Sequence, residues 1–230
     1  MTTHSLHRSL HQLSLPICLA LALAACGTTQ QTRDFRYSGF LKNYAQLEPG
    51  GSDEARLIYI DPKADFTAYD SVLIEPITIW RTVGSNIPKL SAQDHQQLAN
   101  HLHWAIVKQL ESDYTIVQRP GKGVLRLRAA ITEAKGSSVV MDTISSITPQ
   151  MRLISGGKKL VTGTHAFVGK AGVEAEILDS LSNRRLMAAL DERAGAKTIR
   201  GATGAWDDVL ETYAYWAERL KLRLEELRKR

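Results

Sequence analysis

The chain has 230 residues, 43% apolar and 23% charged, with a formal charge of +5. A chain of this length buries roughly 70% of its unfolded surface in one domain, so a core needs neither a disulfide nor a metal. The basic excess gathers at the C-terminus in Lys221, Arg223, Arg228, Lys229 and Arg230. No aromatic–basic interleaving or known module accompanies it, which argues against nucleic acid as a partner.

Residues 1–12 are polar, with Arg8 as the sole formal charge, and Leu13 to Ala25 form an apolar run. That run falls short of the ~20 residues that span a bilayer as a helix, and fits a secretory signal instead. It ends in Leu23-Ala24-Ala25-Cys26-Gly27, which resembles the bacterial lipobox. Small residues before the cysteine let the peptide enter a narrow protease site in extended form. The resemblance implies diacylglyceryl transfer to the Cys26 sulfur, cleavage between Ala25 and Cys26, and further acylation such as palmitate. Cysteine usage agrees independently: Cys18 would leave with the signal, and a lone Cys26 thiol in an oxidising envelope is a liability unless consumed. Stable anchoring takes two or more acyl chains. Gly27 is not the Asp that favours inner-membrane retention in Gram-negative sorting. The expected location is therefore the outer membrane, facing the periplasm.

Residues 27–37 are polar and read as a flexible tether, so the expected organisation is signal peptide 1–25, lipidated N-terminus and tether 26–37, and one domain over 38–230. Phe40, Tyr44 and Leu47 have helical spacing before the Pro49-Gly50 stop, which predicts one or two turns of helix. Arg56–Asp61 predicts a strand, and Ser71–Trp80 a strand broken near Pro76. Ser91–Glu111 predicts a long helix, capped by Ser91 with Asp94 and striped by Leu98, Leu102, Ile106 and Leu110. Tyr114–Gln118 reads as a strand. Val124–Glu133 alternates, with Leu125, Leu127, Ala129 and Ile131 on one face and Arg126 and Arg128 on the other. Val173–Asp179 and Arg185–Arg193 predict a hairpin turning at Ser182-Asn183, with Glu174 and Glu176 on its wet face. Residues 136–171 show no clean period; a short helix near 139–147 and a loop with apolar tips are expected. Ala205–Arg230 predicts a second long helix with Trp206, Val209, Tyr213, Trp216, Leu220, Leu224 and Leu227 on its core stripe. The expected fold is α+β: a mostly antiparallel sheet of five or six strands with two long helices packed on one face.

The runs SGFLKNYAQLEPG, LIYIDPKADFTAYDSVLIEPITIW and VEAEILDSLSNRRLMAALDERAG, in that order, resemble the bacterial lipoproteins grouped as domain of unknown function 3313. The resemblance covers about Ser38 to Trp216 and supplies no catalytic residues. The layout is also similar, more loosely, to periplasmic lipoproteins that assist envelope machines.

Few residues suggest chemistry. His101 and His103 lie about 200° apart around a helix and cannot chelate one ion. With His95 they read as solvated or partly packed. Glu174, Glu176, Asp179, Asp191 and Glu192 could supply an acid–base pair or bind Ca²⁺, although strand alternation explains the first two. Gly163 to Lys170 departs from a phosphate loop in spacing, and Ala171 replaces its Ser/Thr. No cofactor is implied.

Three functions follow. The favoured one is a non-catalytic envelope lipoprotein, held by membrane lipid through acylated Cys26 and serving as binding or accessory factor for an envelope protein assembly. An envelope hydrolase using a carboxylate pair is the alternative. A small-ligand carrier would need a sizeable apolar cavity. Ile144, Ile147, Met151, Leu153 and Ile154 are candidates for a partner surface, since exposed apolar patches mark contact sites; the alternative is that they complete the core. Cys26→Ser should leave the precursor unprocessed and unlipidated. Mass spectrometry of the mature N-terminus reads this directly, and any N-terminus other than acylated Cys26 overturns the anchor.

Overall fold

The computed structural model describes residues 29–32, 35–82, 85, 87, 90–135, 169–195 and 206–230. Three long antiparallel strands form its centre: β7 (Val124–Lys135), β8 (Lys170–Asp179) and β9 (Arg185–Gly195). The alternation read in β7 and β8 is realised. Leu125, Leu127, Ala129, Ile131, Val173 and Ile177 join the main core. Arg126, Arg128, Glu174 and Glu176 take the opposite face, as the period of two requires. The β8–β9 turn is tight, with Asn183 at φ +58°, a conformation that Asn tolerates better than most residues. A bulge between Ile131 and Glu133 shifts the register against β8. Opposite it sits Gly172, where a Cβ would fall 2.8 Å from that of Glu133. Glycine allows this close approach.

Shorter strands extend the sheet on both sides. β3 (Leu57–Ile60) pairs antiparallel with β9 and carries β2 (Glu48–Pro49). On the other side β4 (Ser71–Ile74) pairs parallel with β7, and β6 (Thr115–Val117) parallel with β4. Pro76 lies in the break before β5 (Thr78–Ile79), which returns parallel to β7. Parallel neighbours need a crossover, and α1 (Ala92–Leu110) supplies it between β4 and β6. Its cap is reciprocal: Ser91 Oγ accepts from the Asp94 amide at 3.1 Å and donates to the Asp94 carboxylate at 2.7 Å. α2 (Asp207–Leu227) closes the described fold. Both helices pack over the apolar face of the sheet and against each other.

The expectation of five or six strands is corrected. The described sheet has nine strands and is mixed, though mostly antiparallel, within an α+β fold. The additional strands β1, β2 and β5 are two or three residues long, too short to establish a period. β1 (Thr29–Gln31) lies within the expected tether. It pairs with Arg193–Gly195 of β9, so the sheet begins close after Cys26. The expected helical turns around Phe40–Leu47 are absent; this segment is a run of turns, with Lys42 at φ +54°. The helix expected near 139–147 lies outside the described residues.

Leu98 is fully buried where α1 faces the core. Leu98→Ala should lower unfolding free energy by about 2–5 kcal/mol, read as an earlier denaturant midpoint. An unchanged midpoint would place α1 off the sheet.

Candidate functional site

The hairpin carboxylates separate to different parts of the structure. Glu174 is completely buried and Glu176 nearly so, which corrects the expectation of a wet face. The cover is residues 38–47, whose Phe40 and Leu41 pack on Ala130 and Ala188. Glu174 binds this segment directly. It accepts from Ser38 N at 2.7 Å, Leu41 N at 3.3 Å and the Tyr44 hydroxyl at 2.6 Å. Burial and the adjacent Glu174 raise the Tyr44 pKa. Arg185 holds the same segment by its carbonyls, donating to Leu41 O at 2.5 Å and Asn43 O at 2.9 Å.

Arg185 also belongs to a chain of charges across the sheet. It donates to Glu176 at 2.8 and 3.0 Å. Arg128 bridges Glu176 and Glu75, and Glu75 also binds Arg126. The other acids stand elsewhere. Asp179 holds the hairpin turn, accepting from the Ser182 amide and hydroxyl at 2.7 Å each, and these bonds lower its pKa. Glu192 pairs with Lys170. Asp191 is buried on the helix side, where Trp216 Nε1 donates to it at 2.8 Å. The carboxylates thus converge on no shared reaction point.

The histidines of α1 do not converge either. His95 Nε2 lies 2.6 Å from an Arg81 nitrogen, while burial lowers the His103 pKa. Among the described residues no group of three or more His, Cys, Asp or Glu could hold a metal. Ala25, Cys26, Ile144, Ile147, Met151, Leu153 and Ile154 lie outside the described residues.

The helix side contains a cavity of about 490 Å³. Its floor is a row of small side chains. The register sets Ala129 opposite Ala175, Ala175 opposite Ala189, and Ala189 opposite Ile58. Larger side chains flank the row: Leu127, Ile177 and Met187 on one side, Val173 and Asp191 on the other. Leu102 and Ile106 of α1 and Trp216 and Leu220 of α2 complete the walls. The α2 stripe therefore divides. Trp206, Val209, Tyr213, Leu224 and Leu227 are buried core, whereas Trp216 and Leu220 are half-buried cavity wall.

The cavity opens beside residues 51–55 and the exposed Leu222. Charges of both signs line this rim. Arg219 pairs with Asp53, donating from Nε to its carbonyl at 2.9 Å, and Arg223 pairs with Glu54 and Glu226. Strand periodicity disclosed the apolar face but not the row of alanines, because which residues stand abreast depends on register between strands.

The family model for the protein of unknown function DUF3313 matches residues 36–220. The uncharacterized lipoprotein YdcL of Escherichia coli strain K12 is 26% identical over 185 residues, covering 78% of this chain and 80% of that protein. Among solved structures, the PelC dodecamer from Paraburkholderia phytofirmans is 13% identical, covering 71% of this chain and 95% of that chain, with a TM-score of 0.38. A putative lipoprotein from Caulobacter crescentus is 15% identical over 66% of this chain and 88% of that one, with a TM-score of 0.32.

Glu174→Ala should release residues 38–44 by stranding two backbone donors and a phenol. The expected loss is on the order of 3 kcal/mol, since each buried unsatisfied group costs about 1–3 kcal/mol. Amide exchange at Leu41 should accelerate with it. Unchanged exchange there would mean that Glu174 does not hold the segment.

Proposed function

The chain belongs to the DUF3313 family, and from that premise we propose that it is a lipid-anchored, non-catalytic binding protein of the cell envelope. The lipobox-like Leu23–Cys26 supports the anchor, as does the similarity to a lipoprotein over most of the chain. The partition of the hairpin carboxylates carries the binding reading over the hydrolytic one. A carboxylate pair acting as acid and base must face one substrate from hydrogen-bonding distance. Here Glu174 and Glu176 are committed to backbone amides and arginines on one face, and Asp191 to Trp216 on the other.

Anchoring at Cys26 gives the domain little freedom. Three residues reach at most about 11 Å, so β1 begins close to the lipid surface. The domain then works beside the membrane as a docking or accessory factor for an envelope assembly. Gly27 favours the outer membrane, periplasmic side.

Density fractionation of cells should recover the protein with outer-membrane markers, and crosslinking before lysis should give a discrete adduct. Recovery with inner-membrane markers overturns the sorting. Release into the soluble fraction overturns the anchor itself.

A further inference from the structure

We propose that the cavity under α2 binds the single acyl chain of an amphiphile, with the polar head at the rim formed by Asp53, Glu54, Arg219 and Arg223. The inference deepens the binding reading above and rests on it.

The shape selects a linear apolar occupant. Ala129, Ala175, Ala189 and Ile58 lie on four adjacent strands, so three interstrand gaps make a trough roughly 14 Å long. Neighbouring rows on one face lie only about 7 Å apart along the strands. Larger side chains stand in those rows, Leu127 and Ile177 on one side and Val173 on the other. The space is therefore long and narrow. Its volume of about 490 Å³ falls within the range of roughly 300–1,000 Å³ for ligand pockets.

The chemistry agrees with the shape. Two sheet acids line this space: the Glu176 carboxylate is paired with Arg128 and Arg185, and Asp191 is engaged by Trp216, Arg193, Gln31 and the Arg56 amide. Among the described residues the alanine row itself offers a polar ligand only methyl groups. Each methylene placed there leaves water, which is the main source of affinity for a chain. Polarity is concentrated at the mouth, where both signs stand side by side. A zwitterionic head exchanges like for like: its phosphate takes the arginines in charge-assisted bonds, and its ammonium takes Asp53 and Glu54. A lysophospholipid with an ethanolamine head has this chemistry.

The test uses the full lipidated protein reconstituted in phosphatidylcholine vesicles. A trace of lysophosphatidylethanolamine carrying a diazirine on its acyl chain is added, and the vesicles are irradiated. The expected label falls on peptides containing Val173–Ile177, Met187–Asp191 and Tyr215–Arg223, and excess unlabelled lysophosphatidylethanolamine removes it. Ala175→Phe fills the trough and should reduce this label about tenfold, the equivalent of roughly two displaced methylenes. Because competition is read on the unsubstituted protein, a folding defect in the variant does not decide the outcome. Label confined to surface peptides, or indifferent to competitor, overturns the proposal. A cavity that labels only in Cys26→Ser protein overturns it as well, assigning the space to the protein's own acyl chain. Failure of labelling with membrane fractionation intact removes the ligand and leaves the anchored binding protein standing.

Discussion

The pairing of β8 between β7 and β9 is the constraint on which the rest of the molecule depends. Both edges of β8 are hydrogen-bonded over most of its length. Residues directly opposite one another in a ladder share a face, so register in this one strand assigns the face of residues in three. It places Leu127, Ile177 and Met187 together beneath the helices, and Arg128 and Glu176 together on the reverse. A one-residue slip would turn glutamates into the apolar core. That error is severe enough to exclude the alternative pairing.

The reverse face shows how such a sheet can be two-sided without two apolar layers. A carboxylate removed from water is costly unless its bonds are replaced. Glu174 regains donors from Ser38, Leu41 and Tyr44, and Glu176 from Arg128 and Arg185. Leu41 joins the two systems: its amide is held by Glu174 and its carbonyl by Arg185. The covering segment thus needs no secondary structure of its own. Its backbone polar groups find partners among charged side chains of the sheet, and Phe40 and Leu41 fill the space between them.

Elements that carry a repeating pattern are legible in the sequence, and elements held by their tertiary partners are not. α1, α2 and the β8–β9 hairpin each carry several periods of a repeating pattern, so they were legible to within a few residues. β1 was hidden because Thr29–Gln31 offers three polar residues, and its strand character comes entirely from the available edge of β9. The helical spacing of Phe40, Tyr44 and Leu47 misled for a related reason. Those side chains do contact one apolar patch, but the tie to Glu174 and Arg185 outweighs three residues of periodicity. Burial of Glu174 and Glu176 was beyond reach, since alternation marks which way a side chain points and not what later covers it. The partition of α1 and β4 into a parallel crossover was equally silent, because strand direction is set by tertiary connection.

The α2 helix makes the final link from pattern to function. One unbroken stripe runs along it, and nothing in its residue types distinguishes core from cavity wall. The difference arises from what lies opposite. Trp206 and Tyr213 are fully covered, while Trp216 and Leu220 face the row of Ala129, Ala175 and Ala189. Three small residues abreast withdraw the floor from the helix, and a dry gap loses the dispersion contacts that close packing would supply. A fold that needed only stability would place larger side chains at those positions, as it does in the rows on both sides. Among the described residues the alanine row therefore leaves an apolar trough beside the charged rim of α2, and that coincidence of an apolar floor with a polar mouth is what the acyl-chain proposal rests on.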